Sequence, residues 1–266
     1  MTECKNDVPA LDHPEVLSRI FHPRKEQMRQ AWFLKAETID IPVAAGVKVG
    51  AAFYAADPEA PVILFFHGNG ETVPDYADVG GLYTAMAINF LAVDYRGYGW
   101  SGGTPTVSAM LADSHAVFDF VKDWLRERGY SGKRIVMGRS LGSACALELA
   151  ARHASEMDGL VIESGFAYAV PLLKLLGVDV KKLRIDETAG FGNLDKIRSY
   201  RKPLLVIHAE HDHIIPLADG RALFEACPAP VKRMIQIDQA DHNTIFYYGS
   251  EAYMSGIKEF IENLDA

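Results

Sequence analysis

The chain is 266 residues long, 49% hydrophobic and 23% charged, with a formal net charge of −8. That length suits one substantial α/β domain with its own core and is short for two. An acidic chain with no clustered basic face excludes a nucleic-acid binder, and no apolar run approaches the roughly 18 residues that span a bilayer.

Residues 1–9 lack the apolar core of a secretion signal, so a cytoplasmic location without stable membrane insertion is expected. Residues 1–30 mix helix and coil signals and carry no legible chemistry. Three cysteines, Cys4, Cys145 and Cys227, cannot all pair and show no metal-ligand spacing. Cys145 reads as core packing.

From residue 36 onward, β-rich apolar runs alternate with helical stretches, the pattern of parallel strands linked by helices. Strands are predicted over 36–41, 48–54, 62–66, 89–94, 134–138, 159–163, 203–208 and 232–237. The first two, joined by Ala-Ala-Gly, read as an antiparallel hairpin leading the sheet. Helices are predicted over 74–87, 107–128, 141–153, 218–226 and 250–263. About forty residues separate Glu163 from Pro203, more than a plain crossover needs. Phe166, Tyr168, Val170, Leu172, Leu173, Leu175 and Leu176 form an apolar segment there. We read a small insertion at about 165–200 that caps the active site, within one domain spanning 1–266. The plainer alternative lays 168–176 on the sheet as a crossover helix.

The chemistry concentrates at Gly138-Arg-Ser140-Leu-Gly142, which closes one predicted strand and opens a helix. A serine hydroxyl is a poor nucleophile at neutral pH; an enzyme using one exposes it on a sharp turn beside a base and oxyanion donors. The flanking glycines permit such a turn, which nominates Ser140 as nucleophile and the Leu141 backbone N–H as an oxyanion donor. Gly99-Trp-Ser101-Gly-Gly103 matches the same short pattern, but a glycine-rich turn precedes it and Gly-Gly-Thr-Pro follows, so Ser101 reads as a loop residue.

The nucleophile needs a base, and the base an orienting acid. Among nine histidines, His242 lies between the last strand and the last helix, where sheet enzymes of this kind keep their chemistry. Asp212 follows the strand over 203–208 and is the acid chosen; Glu210 reads as solvated or structural. The order Ser140, Asp212, His242 is that of nucleophile-elbow enzymes. A second oxyanion donor is expected from the turn His67-Gly-Asn69-Gly70, at the Asn69 N–H, with Gly70 as the fallback.

With these residues in place, the chain resembles the α/β-hydrolase superfamily, of the bacterial serine-hydrolase type. The resemblance rests on His67-Gly-Asn-Gly70, Asp94-Tyr-Arg-Gly-Tyr-Gly-Trp-Ser101, the elbow at 138–142, Asp212 with Pro216, and Asp241-His242, and it covers roughly 36–264. It implies an α/β-hydrolase fold: an eight-stranded, mostly parallel sheet flanked by helices, with a small cap insertion. It implies a serine hydrolase that works through an acyl-enzyme on Ser140, without cofactor or metal. The resemblance is much less specific for substrate; the short insertion between Glu163 and Pro203 points to an ester of a small or medium acyl group. An acyl thioesterase, including one acting on acylated proteins, is the alternative; a peptidase or a non-catalytic binding protein is further off. The partner expected is a small-molecule acyl ester or thioester, and the sequence leaves the oligomeric state open. Phe166 and Leu172 are expected to line the substrate pocket. A metal hydrolase built on His208, Glu210, His211, Asp212 and His213 is the rival reading, weakened because adjacent loop residues point different ways.

Overall fold

The computed structural model describes residues 8–27 and 35–264. Cys4 lies outside the described residues. Eight strands form one sheet in the order β1-β2-β4-β3-β5-β6-β7-β8. They are β1 (Glu37–Ala44), β2 (Val47–Tyr54), β3 (Val62–Phe66), β4 (Asn89–Val93), β5 (Arg134–Arg139), β6 (Gly159–Glu163), β7 (Leu204–Ala209) and β8 (Lys232–Ile237). β1 pairs antiparallel with β2, and β2 antiparallel with β4; every later pairing is parallel. This is the mostly parallel α/β-hydrolase sheet that the sequence implies.

β3, β4, β6 and β7 are buried along their whole length, which is why they read as continuous apolar runs rather than alternating ones. One face packs against α3 (Val107–Glu127) and α4 (Gly142–Arg152), with Phe118, Val121, Ala146 and Leu149 in that core; the other packs against α2 (Ala77–Ala85) and α8 (Ile245–Glu262), with Tyr83, Tyr253 and Ile257. Thr106 caps α3 by accepting from the Ala109 N–H at 3.0 Å, a bond that satisfies one orphan donor of the first turn.

Two helix starts differ from the sequence expectation. The first helix after β3 begins at Ala77, because Val73–Tyr76 makes a tighter 3₁₀ turn closed by Thr72 and Asp75. The last helix begins at Ile245, not 250, and absorbs a break at Gly249, where a Cβ would stand 2.5 Å from Ile237. Before the sheet, α1 (Pro14–Ile20) starts on a His13 cap with Pro14 in its first turn. Between β6 and β7 run α5 (Ala169–Leu175), a 3₁₀ turn at Glu187–Ala189 and α6 (Asn193–Arg198), followed after β7 by α7 (Leu217–Ala226). α5 lies against α1. It buries Ala169 and Leu173 but leaves Leu175 58% exposed, so it is not a crossover helix buried flat on the sheet.

Candidate active site

Ser140 sits where β5 turns into α4, with φ +51°, a left-handed conformation that costs a non-glycine residue on the order of 1–3 kcal/mol. The turn must be this sharp because strand and helix nearly touch. A Cβ at Gly138 would lie 2.3 Å from the Gly142 carbonyl oxygen, and one at Gly142 would lie 2.1 Å from the Phe66 carbonyl oxygen. Both glycines of the elbow are therefore required by backbone packing. The Ser140 N–H donates to the Glu163 carbonyl at 2.9 Å, anchoring the turn to the end of β6.

The Ser140 Oγ lies 2.9 Å from His242 Nε2, and His242 Nδ1 lies 2.7 Å from Asp212 Oδ2. All three residues are buried. Burial pushes the Asp212 carboxyl up, but the hydrogen bond from His242, its charge and the N–H groups of Ile215 and Ile214 outweigh it and hold Asp212 below the usual aspartate range. An ionised Asp212 accepts a hydrogen bond from Nδ1–H, which keeps the proton on Nδ1 and leaves the Nε2 lone pair free to accept from Ser140. The arrangement can remove a proton from a serine hydroxyl and return it to a leaving group. Glu210 instead accepts from the Gln239 N–H at 2.9 Å.

Asn69, Ser140 and Leu141 share one hollow of about 70 Å³ with Ile20, Phe166, Ala169, Leu172, Leu173, Leu176, Phe191, Ile214 and Ile215. Among the described residues, no acceptor takes the backbone N–H of Asn69 or Leu141. Gly68 donates to Glu71 at 2.7 Å. Phe166 and Leu172 both line this hollow; so does Ile20, in a segment where the sequence showed no chemistry. A larger hollow of about 680 Å³, among Lys122, Arg126, Lys133 and Arg134 at the amino ends of β3 and β5, contains none of these residues.

Beneath the site, His67 Nε2 lies 3.0 Å from Asp94 Oδ1 while His67 Nδ1 lies 2.8 Å from the Gly68 carbonyl. Burial works against an imidazolium, but the bond to Asp94 outweighs it and raises His67; burial likewise pushes the Asp94 carboxyl up. One hydrogen bond joins the two buried groups under the Asn69 turn. Arg139, inside the elbow, pairs with Glu71 at 2.8 Å and Glu163 at 3.0 Å and donates to the His242 carbonyl at 2.9 Å. One guanidinium ties the turn after β3, the end of β6 and the His242 loop together, a role for which Arg suits better than Lys. An arginine ending an apolar strand was the one available signal for it.

The rival residues are placed elsewhere. Ser101 is buried in its loop and accepts from the Gly50 N–H at 2.9 Å. His208 donates to the Ile215 carbonyl at 2.8 Å, and His211 and His213 are exposed. Among the described residues, no three His, Cys, Asp or Glu side chains are grouped to hold a metal ion, and no helix is long and apolar enough to cross a membrane.

Comparison with known proteins places the chain in a family. A family model described as Hydrolase_4, serine aminopeptidase S33, matches residues 57–185. Human alpha/beta hydrolase domain-containing protein 17B is 33% identical over 224 residues, covering 81% of this chain and 72% of its own length. The chain belongs to that α/β-hydrolase family. The mouse protein 17C is 31% identical over 226 residues, covering 81% of this chain and 64% of its own length. An esterase from Pyrococcus furiosus superposes with a TM-score of 0.72 at 19% identity, covering 91% of this chain and 98% of its own. Est1E from Butyrivibrio proteoclasticus with bound ferulic acid superposes at 0.69 and 19% identity, covering 86% and 99%; these two likenesses show the fold. The hydrolase is a serine hydrolase of the α/β-hydrolase superfamily.

Proposed function

We propose that this hydrolase cleaves carboxylic esters of small to medium acyl groups through an acyl-enzyme on Ser140. The observation that carries the reading is the unbroken chain from Asp212 through His242 to Ser140, at 2.7 and 2.9 Å, opening on an apolar hollow of about 70 Å³. His242 takes the Ser140 proton as Oγ attacks the acyl carbonyl. The carbonyl oxygen gains the electron pair and is held by the N–H groups of Asn69 and Leu141, with the start of α4 adding its dipole. Collapse expels the alcohol, which leaves with the proton from His242, and water repeats the cycle on the acyl-enzyme. We read one domain in which residues 165–200 form a short cap, a small-molecule acyl substrate and a cytoplasmic site of action.

The hollow equals the liquid volume of roughly two water molecules, so it suits a short acyl tail. Each methylene buried there adds roughly 0.8 kcal/mol until the space is full. Rates (kcat/KM) on p-nitrophenyl esters should therefore rise from acetate to about butyrate or hexanoate and fall by laurate, without activation at a lipid interface. A fluorophosphonate probe should label Ser140, and Ser140→Ala should abolish both labelling and turnover. Labelling at Ser101, or a steady rise to palmitate, would count against the reading.

An acyl thioesterase is the second reading. A neighbouring hollow of about 200 Å³ lies across the same Phe166, Leu172, Ile214 and Ile215, and a side-chain shift there would admit a longer acyl chain. A matched ester and thioester panel separates the two.

A further inference from the structure

We propose that residues 20–26, which reach the site from outside the sheet, are part of its machinery: His22 is a positioning residue that sets the oxyanion turn through Asn69. The inference rests on the serine-hydrolase reading above. The turn carrying the Asn69 N–H has glycine on both sides, and Gly70 takes φ +75°, so its own backbone is soft. Its order comes from neighbours. From within, the Tyr95 hydroxyl donates to the His67 carbonyl at 2.6 Å and the His67–Asp94 pair underlies it.

From without, the Asn69 Oδ1 accepts the Tyr98 hydroxyl at 2.7 Å and the His22 backbone N–H at 3.0 Å. Two donors at Oδ1 fix the orientation of the amide, so Nδ2 donates to His22 Nδ1 across 2.8 Å. His22 thus grips Asn69 twice, once by backbone and once by side chain. Arg24 adds a bond from Nη1 to the Gly70 carbonyl at 3.3 Å and an ion pair to Asp75 at 2.8 Å.

The segment is anchored at its far end. The Gly99 N–H donates to the Arg24 carbonyl at 2.8 Å, the Glu26 N–H donates to the Gly99 carbonyl at 2.9 Å, and Lys25 Nζ donates to the Ser101 carbonyl at 2.6 Å. The glycine-rich loop after β4 is therefore the anchorage of a clasp, and Tyr98 in that loop is the third party to the Asn69 contact. His22 itself is exposed, so its side chain does little for the core. What it holds is the direction of one N–H, and an error of about 1 Å in such a group costs about 10²-fold.

The test is the rate at which a fluorophosphonate labels Ser140, because that reaction builds charge on the same oxygen and needs no knowledge of the natural acyl group. His22→Ala should lower the maximal labelling rate about tenfold, with the half-saturating probe concentration and melting temperature close to wild type. His22→Asn, whose Oδ1 stands where Nδ1 stood, should restore the rate to within about twofold. Asn69→Ala should lose at least as much as His22→Ala, and adding His22→Ala to it should change nothing further, since both act through one contact. Wild-type labelling in His22→Ala, no restoration by His22→Asn, or multiplied losses in the double variant would overturn the clasp alone. Absence of label on Ser140 in the folded wild type would overturn the hydrolase assignment and the clasp with it.

Discussion

At the scale of the residue, Ser140 is held against its own backbone preference. With φ at +51°, replacing the serine by the residue that tolerates that angle relieves strain while removing the nucleophile. Ser140→Gly should raise stability by about 0.5–1 kcal/mol, seen as a higher urea midpoint, while abolishing turnover. A midpoint at or below wild type would show that the elbow carries no strain. Asp212 gives the complementary case. Its carboxylate accepts from His242 Nδ1 and from two backbone N–H groups, so Asp212→Asn keeps the shape of the loop but loses the tautomer. Turnover should fall on the order of 10³–10⁴ with little change in melting temperature. Glu210→Gln should cost far less, and a reversal of those two losses would move the acid to Glu210.

Among the elements, α1 and α5 both wall the hollow at Ser140, where the proposed acyl group would sit. α5 presents Leu172 and Leu173, and α1 presents Ile20 from its last turn. Ile20 is 4% exposed and stands beside the hollow that holds Ser140, so shortening it adds room without touching the triad. Ile20→Ala should shift the preferred p-nitrophenyl ester upward by about two carbons and raise kcat/KM on the first ester beyond the wild-type optimum by roughly three- to tenfold, given about 0.8 kcal/mol per buried methylene. An unchanged chain-length profile would show that α1 does not bound the acyl site. The elbow glycines belong to the same scale: they are there because α4 crosses β5 and β3 at backbone contact distance, and the chemistry inherits the angle that this packing sets.

For the molecule as a whole, stability in acid is expected to fall with the protonation of one buried carboxylate, Glu148. Glu148 in α4 accepts from His115 of α3 at 3.2 Å and pairs with Lys196 of α6 at 2.8 Å, joining three helices that cover one face of the sheet. Burial would raise its pKa, but His115 and Lys196 outweigh burial and hold the carboxyl at about 2, against 4.5 for an ordinary glutamate. A folded pKa below the unfolded one contributes stability that is present above the unfolded value and lost as pH falls. Stability should thus decline between about pH 4.5 and pH 2. Glu148→Gln should be less stable by about 2–3 kcal/mol at pH 7 and should lose less between those two pH values. Urea titrations at pH 7, 4.5 and 3 read both effects, and parallel curves for the two proteins would remove Glu148 as the cause.

How much of this could be read from the chain follows from distance along it. All eight strands, the elbow and the glycines around Ser140 were legible, because apolar runs, turn residues and helix formers act on neighbours a few positions away. Ser140, Asp212 and His242 were nominated by order and by their places at strand ends, and the fold brings them within hydrogen-bonding reach across 102 and 30 residues of sequence. Local patterning carried no trace of His22 on Asn69 or of Ile20 beside the hollow, and for Arg139 only its place at the end of an apolar strand. His22 and Asn69 are 47 residues apart and share no period, spacing or composition. Sequence by itself determined which elements form and which chemistry they carry; tertiary packing alone decided which exposed, unpatterned segment closes on the site, because that contact depends on where two surfaces meet after the sheet has folded.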